Sequence, residues 1–282
     1  MSSASSDYLV VGHITVDHTP NGAEFGGTAL FAALTARGLG ARVHVLTSMP
    51  EGAPGLDLPS DITVHNIPSP VWCTFRHEYV NGVREQYITS VAANLHASDI
   101  PPAWRSIPVV HFGPLVQEVD HELMAAFDHS LLGASVQGWL RRWDAATGHV
   151  QPVAPSQMLA WAPPVHISFL SLEDIGDQRG VIDLYRRKHR IVVLTDGSHG
   201  ATVYEGERAT HVPAFPVVEV DANGAGDVFS AAFLVRYHEA KDAVEAARFA
   251  AVVASFHVER RGTEGIPSRE QAEARLREYA RI

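Results

Sequence analysis

The sequence predicts an α/β fold: a doubly wound, mainly parallel sheet with helices on both faces. Three observations carry this expectation. Short apolar runs such as Tyr8-Leu9-Val10-Val11 recur along the chain and end in glycine or a turn, as strands buried on both faces do. Segments of helical period alternate with these runs from Tyr8 to Val258, the pattern of βα units. Between Val71 and Ser90, two β-rich segments flank Asn81-Gly82, a strong hairpin-turn signal, and mark a small antiparallel β lid outside the main sheet.

Taken in order, Tyr8–Gly12 reads as the first strand, with His13–Val16 continuing it to Asp17. Ala23–Gly27 is a tight loop, Thr28–Gly38 an Ala- and Leu-rich helix, and Ala41–Thr47 the next strand. Gly38-Leu39-Gly40 follows a helix and precedes a strand, the reverse of a dinucleotide loop's context, so it reads as a helix C-cap. Val109–Pro114 is a buried strand with a turn, and Asp120–Leu131 an amphipathic helix. Leu132–Val136 is a strand with Gln137-Gly138-Trp139-Leu140-Arg141 at its end. Ligands in open α/β sheets bind outside strand carboxyl ends, which makes His111, Gln137 and Arg141 pocket candidates.

Val165–Leu170 is a further strand, and Ser171-Leu172-Glu173-Asp174 suits a helix start capped by Ser171. Ile191–Thr195 is a strand that turns through Asp196–Gly200 into Ala201–Tyr204. Asp242–His257 is an Ala-rich helix, and Arg260–Gly265 a loop. The Pro-rich spots near Pro50–Pro59, Pro68–Pro70 and Pro152–Pro164 read as loops rather than linkers, so residues 1–282 are expected to form one domain.

The chemistry is expected between Val217 and Ala240. Four β-favouring residues lead into Asp221-Ala222-Asn223-Gly224-Ala225-Gly226-Asp227, and a helical segment follows. Small residues at the mouth of a helix let a ligand approach free N–H groups at the positive end of the dipole, which suits an anion. Two carboxylates there, Asp221 and Asp227, would repel a phosphate unless one holds a metal or takes a proton. That combination points to phosphoryl transfer, with Asp227 accepting a hydroxyl proton beside an anion hole. An ordinary Gly-rich helix start has the same spacing.

Asp221-x-x-Gly224-Ala225-Gly226-Asp227, with Phe229 and Phe233 after it, resembles the C-terminal signature of the ribokinase-like (PfkB) carbohydrate kinases. The resemblance implies a kinase that uses ATP and Mg²⁺, with Asp227 as base and the amides of Gly224, Ala225 and Gly226 as anion hole. It places Asp221 near the metal, and Asn223 at the nucleotide. Gly12-x-x-x-x-Asp17 and Gly26-Gly27 are similar to the family's sugar-binding start, where the Asp takes substrate hydroxyls. Ribokinases carry a substrate-binding Asn four residues after the second glycine; this chain has Phe31, which implies a less polar acceptor face.

Ser171-x-x-Asp174 stands where the family has Asn-x-x-Glu near magnesium, so Asp174 is a metal candidate with a shorter reach. Thr195-x-Gly197-x-x-Gly200 is similar to the stretch that borders the nucleotide phosphates. Gln137–Arg141 resembles a stretch of inositol-kinase-like members and makes Gln137 and Arg141 acceptor-binding candidates. By the same resemblance the helix after the motif packs beside the adenine, and the loop after that helix supplies carbonyls to K⁺ in some members. The Val71–Ser90 lid would cover the acceptor and exclude water, and it is also a route to a homodimer. The expected acceptor is a small sugar, polyol or cyclitol, myo-inositol first. A nucleoside kinase of the same fold and a non-catalytic sugar-binding regulator are the alternatives.

Composition narrows the remaining classes. With 46% hydrophobic and 19% charged residues the chain has the makings of a sizeable core. A net charge of −10 opposes nucleic-acid binding, which needs a basic face. Cys73 is the only cysteine, so an internal disulfide or thiolate metal cluster is excluded. The 16 histidines are scattered without ligand spacing. No signal-peptide pattern or long apolar run is visible, so the expected location is the cytoplasm, away from membranes.

Overall fold

The computed structural model describes residues 6–19, 22–80, 83–161, 164–176 and 178–279. The first half of the chain contributes β1 (Asp7–Val11), β2 (Thr15–Thr19), β3 (Gly22–Gly26), α1 (Thr28–Gly38), β4 (Arg42–Met49), β5 (Thr63–Pro68), β6 (Cys73–Val80), β7 (Val83–Ser90), β8 (Val109–Phe112) and β9 (Leu131–Ser135). Then follow β10 (Arg141–Trp143), β11 (Val150–Pro152), α2 (Pro155–Trp161), β12 (Ile167–Ser171), α3 (Leu172–Ile175), α4 (Val181–Lys188) and β13 (Ile191–Thr195). The chain ends with β14 (Ala201–Glu205), β15 (Arg208–Val212), α5 (Ala225–Ala240), α6 (Ala243–Val258) and α7 (Arg269–Tyr279).

Nine strands form one sheet in the order β15-β14-β13-β12-β9-β8-β1-β4-β5. Its pairs run parallel from β13 to β5, and β14 and β15 close the other edge antiparallel. Tyr8 and Val10 of β1 face the core that contains α1, α5 and α6, while Leu9 and Val11 face the opposite core. Both sides are apolar, which is why the run is continuous rather than alternating. β1 sends the chain to β4 on one side, and β8 lies on its other side, so the sheet switches direction there. The carboxyl ends of strands at such a switch leave a crevice.

A second sheet, β3-β2-β6-β7, forms the lid. The expected hairpin is present, with Val80 opposite Val83; Asn81 and Gly82 lie outside the described residues. The lid is larger than the sequence suggests. His13–Val16 does not continue the first strand, because the chain leaves the main sheet at Gly12 and Thr15 opens β2, which pairs parallel with β6. Cys73, Phe75 and Ile88 of the hairpin share a third core with Leu115 and Val116, so the hairpin contributes to the fold as well as covering it. The β10–β11 ribbon docks on β7 through Ile88 N–H to Gly148 C=O, 2.8 Å. A side chain at Gly148 would run into the Ile88 carbonyl.

Three further local expectations are corrected. Ala23–Gly27 is no loop: Gly22–Gly26 is a strand, paired antiparallel with β2 at the edge of the lid sheet. Asp120–Leu131 is no α-helix: Asp120 caps a short 3-10 turn, His121–Ala126, and Leu131 already pairs with Val109 in the sheet. The strand takes the residues a longer helix would need. Pro152–Pro164 contains α2, started by Pro155 at a position whose N–H no helix requires. No helix among the described residues is long and apolar enough to cross a membrane.

Candidate active site

Two cavities meet at the carboxyl ends of the central strands. The inner one is lined by Asp17, Gly27, Phe31, Gln137, Arg141, Asp174, Asn223 and Gly224 through Asp227, among others. The second, of about 400 Å³, lies between Phe215–Val217 and the α6 residues Ala251, Ala254 and Val258. Thr195, Gly197, Ala222, Ala225 and Gly226 line both.

The junction is built by the start of α5. Gly224 caps the helix at φ 81°, where a glycine is needed, and its missing Cβ leaves room for the Phe31 ring. Ala225 N–H already donates to Ala222 C=O, 3.1 Å. Asn223 is held from both sides: its N–H donates to Asp221 Oδ1, 3.0 Å, and its carbonyl lies 2.7 Å from His257 Nε2.

Asp227 follows in the first helical turn. Its Oδ1 accepts from Thr28 Oγ1 at 2.7 Å. Burial pushes the Asp227 carboxyl up to about 6; Thr28 and Arg141 pull it back, and Asp174 and Asp17 add to the rise. A carboxylate tuned towards neutrality suits a general base. Thr28, at the N-terminus of α1, is a partner that the sequence reading placed only as a helix residue. A side chain on Gly113 would collide with Thr28, so a distant glycine makes room for the threonine beside Asp227.

Asp17 and His77 form the lid side. Asp17 is 8% exposed, and its Oδ1 has no hydrogen-bond partner among the described residues. Its Oδ2 lies 3.7 Å from His77 Nε2, and Gln86 Nε2 is 3.4 Å from His77 Nδ1. Gly26 lies outside the cavity lining; a Cβ there would sit 2.7 Å from Asp17 Oδ2, so this glycine clears space for the carboxylate. Gln86 was missed in the sequence because its role depends on the register of β6 with β7.

Gln137 and Arg141 reach the cavity from a 3-10 turn after β9, docked where Gly138 touches Pro114. His111 does not reach it: its ring is fully buried. Phe31 lines the floor but is 1% exposed, packed edge-on against His257 at 5.3 Å. Asp174 and Ser171 do make a helix cap, each main-chain N–H donating to the other's side chain. Asp174 still lines the cavity beside Glu173.

Asp221 lies outside both linings, its second oxygen accepting from Gly262 N–H at 3.1 Å. Gly200, at φ 99°, lines the second cavity with Thr195 and Gly197.

Residues 167–269 match the model of the pfkB family carbohydrate kinases. The chain is 42% identical over 84 residues to the ribokinase of Bacillus subtilis, covering 29% of each protein. It is 38% identical over 87 residues to the nucleoside kinase of Methanothermobacter thermautotrophicus, covering 30% of this chain and 28% of the relative. The matched stretch thus spans less than a third of these curated relatives.

The fold is shared over far more of the chain. A pyrophosphate-dependent kinase in the ribokinase family, complexed with a pyrophosphate analog and myo-inositol, superposes with a TM-score of 0.76 at 22% identity, covering 95% of this chain and 99% of that one. Arabidopsis thaliana ribokinase complexed with ribose and ATP gives 0.71 at 18%, covering 97% and 99%.

Proposed function

From a chain with the ribokinase-family fold and the PfkB carbohydrate-kinase pattern at residues 167–269, we propose a kinase that transfers a phosphoryl group from ATP to a hydroxyl of a small polyol, sugar or cyclitol. The observation that carries this reading is Asp227, a buried carboxyl raised to about 6 in the first turn of α5, which lines the inner cavity next to Ala225 and Gly226, the residues that line both. Asp227 takes the hydroxyl proton as the acceptor oxygen attacks the terminal phosphorus. The new O–P bond forms as the bridging bond to the diphosphate breaks. The main-chain N–H groups of Gly224 and Gly226 and the dipole of α5 stabilise the moving charge, the Ala225 N–H being taken by Ala222 C=O.

The acceptor belongs in the inner cavity. The buried, unpartnered Oδ1 of Asp17 calls for a hydroxyl donor, and Gln86, Gln137 and Arg141 line the same space with the apolar Phe75 and Leu115. A ring with hydroxyls at its rim and one apolar face fits that chemistry, with myo-inositol the first to test. His77→Ala is expected to raise the acceptor KM roughly 5- to 50-fold, as lost buried hydrogen bonding does, with the donor KM unchanged. A shift in the donor KM instead would remove His77 from the acceptor end.

The second cavity suits the nucleoside of the donor, since its wall is Phe215, Pro216, Val217, Ala251, Ala254 and Val258. Ala254→Trp fills that wall. It is expected to raise the KM for ATP by about 10-fold or more while any use of pyrophosphate is spared. Equal loss with both donors would place the donor elsewhere.

Among the described residues no cluster of three or more potential metal ligands exists. Magnesium does not need one, because it commonly uses one or two carboxylates besides phosphates and water. Asp174 and Glu173 are the cavity carboxylates that would hold it, and bound there it would offset phosphate charge. The deciding experiment is a screen of phosphoryl transfer from ATP and pyrophosphate to myo-inositol, other polyols, ribose, adenosine and inosine. Acceptor-dependent ADP release with a polyol supports the proposal. Release only with nucleosides replaces the acceptor class, and no transfer to any acceptor overturns the reading.

A further inference from the structure

Beneath the site, four buried side chains form one hydrogen-bonded chain that the reaction itself does not use. Tyr8 Oη lies 2.7 Å from His111 Nδ1, and His111 Nε2 lies 2.9 Å from Ser135 Oγ. Ser135 Oγ donates to Ser230 Oγ at 3.1 Å, and Ser230 Oγ donates to the main-chain carbonyl of Asp227 at 3.0 Å. The links come from β1, β8, β9 and α5, and Ser135, at 9%, is the most exposed of them.

The direction of every bond follows from its end. The Asp227 carbonyl can only accept, so the Ser230 proton goes to it and the Ser135 proton goes to Ser230. Ser135 then accepts from the Nε2–H of His111. Burial lowers the His111 pKa to about 3, so the ring carries one proton and Nδ1 accepts from Tyr8. A chain that ends on a carbonyl passes no proton to the Asp227 carboxylate, so it is not a relay. Stability alone does not account for it, since replacing a whole buried network by apolar residues of similar shape is often neutral, whereas removing one partner is costly. It ties the first turn of α5 to three strands, β1, β8 and β9.

We propose that His111 and Ser135 are positioning residues, holding the first turn of α5 so that Asp227 and the Gly224–Gly226 loop keep their place over the strand ends. The proposal rests on Asp227 as the base. An error of about an ångström in such a group costs up to about 100-fold in rate.

The test contrasts His111→Gln, which keeps a nitrogen donor where Nε2 was, with His111→Asn, which keeps only the partner of Tyr8. Turnover is measured with ATP and the best acceptor of the screen. His111→Asn and Ser135→Ala are expected to lower kcat about 10- to 100-fold, and His111→Gln to recover most of it. Both KM values should stay within a factor of about two in the His111 variants, because His111 lines neither cavity; Ser135 lines the inner one, so its variant is read by kcat alone.

Amide exchange reads the same effect without turnover: the first turn of α5 should open about 10-fold more readily in His111→Asn and not in His111→Gln. Ser168, whose buried Oγ has no partner among the described residues, is the control, and Ser168→Ala should leave kcat unchanged. If His111→Asn and His111→Gln behave alike in kcat and exchange, the chain is core packing and the proposal is overturned. Asp227→Asn run alongside separates the claims: retained turnover there overturns the base, not the tether. Where Ser135→Ala fails to fold, the contrast at His111 decides.

Discussion

Asp227→Asn is expected to lower turnover by roughly 10²–10⁴-fold while donor affinity stays near that of the parent. The amide keeps the shape and still accepts from Thr28 Oγ1, so the loss isolates the base. The same substitution should stabilise the fold at neutral pH, and the sign follows from the raised carboxyl. The acid is ionised above its ordinary value of 3.8 when unfolded, but only above about 6 when folded.

Wild-type stability therefore falls between pH 4 and 6 and stays lower above that window, by roughly 2–3 kcal/mol. The variant lacks this cost. Its melting temperature should exceed wild type at pH 7 to 8, and the gap should close as the pH drops from 6 to 4. Turnover of wild type should itself fade as the pH falls through about 6. A variant with more than half of wild-type activity, or one that gains no stability at pH 8, would remove Asp227 from the role of buried base.

Gly224→Ala is expected to be the most damaging substitution outside the base. The residue sits at φ 81°, and an added Cβ would lie 2.5–2.7 Å from three atoms of the Phe31 ring. The conformation costs about 1–2 kcal/mol for an L side chain, and the overlap adds to it. Phe31 has little freedom to yield, because it is 1% exposed and packed against His257, which also holds the Asn223 carbonyl.

The strain therefore moves the loop that carries the proposed anion hole. Turnover should drop by about 100-fold and the melting temperature should fall by several degrees. Adding Phe31→Leu should recover stability in the Gly224→Ala background. Gly226→Ala is the steric contrast: among the described residues nothing beyond its chain neighbours and its own helix backbone lies within 4 Å of its Cβ position, so folding should be unaffected. Equal melting of Gly224→Ala and wild type would show that the wedge is absent.

Phe31 illustrates what a linear reading can reach. Its departure from the ribokinase Asn was visible in the sequence, and the obvious inference was an apolar face towards the acceptor. The ring does line the cavity floor, but it is also wedged under Gly224 and against His257, 193 and 226 residues away along the chain. Thr28, likewise, read as an ordinary residue of a helix until Gly113 and Asp227 were placed beside it. Asp120–Leu131 has the period of a helix but forms only a 3-10 turn at His121–Ala126, because apolar periodicity over a few residues does not reveal that Leu131 is claimed by the sheet.

By itself the sequence determined the α/β class, the strands at β1, β8, β12 and β13, the hairpin of the lid, and the small-residue pattern at the start of α5 ending in Asp227. These depend on local rules: apolar runs, turn residues, and small residues at a helix start, each set by neighbours within a few positions. The tertiary structure alone decided that β2 leaves the first sheet for the lid, that Asp17 faces His77, that Asp221 braces the loop at Gly262, and that His111 lies below the cavity. Those facts are pairings between segments far apart in sequence. Their energies arise from burial and hydrogen bonds made across the packed core, where residue spacing along the chain carries no record of the partner.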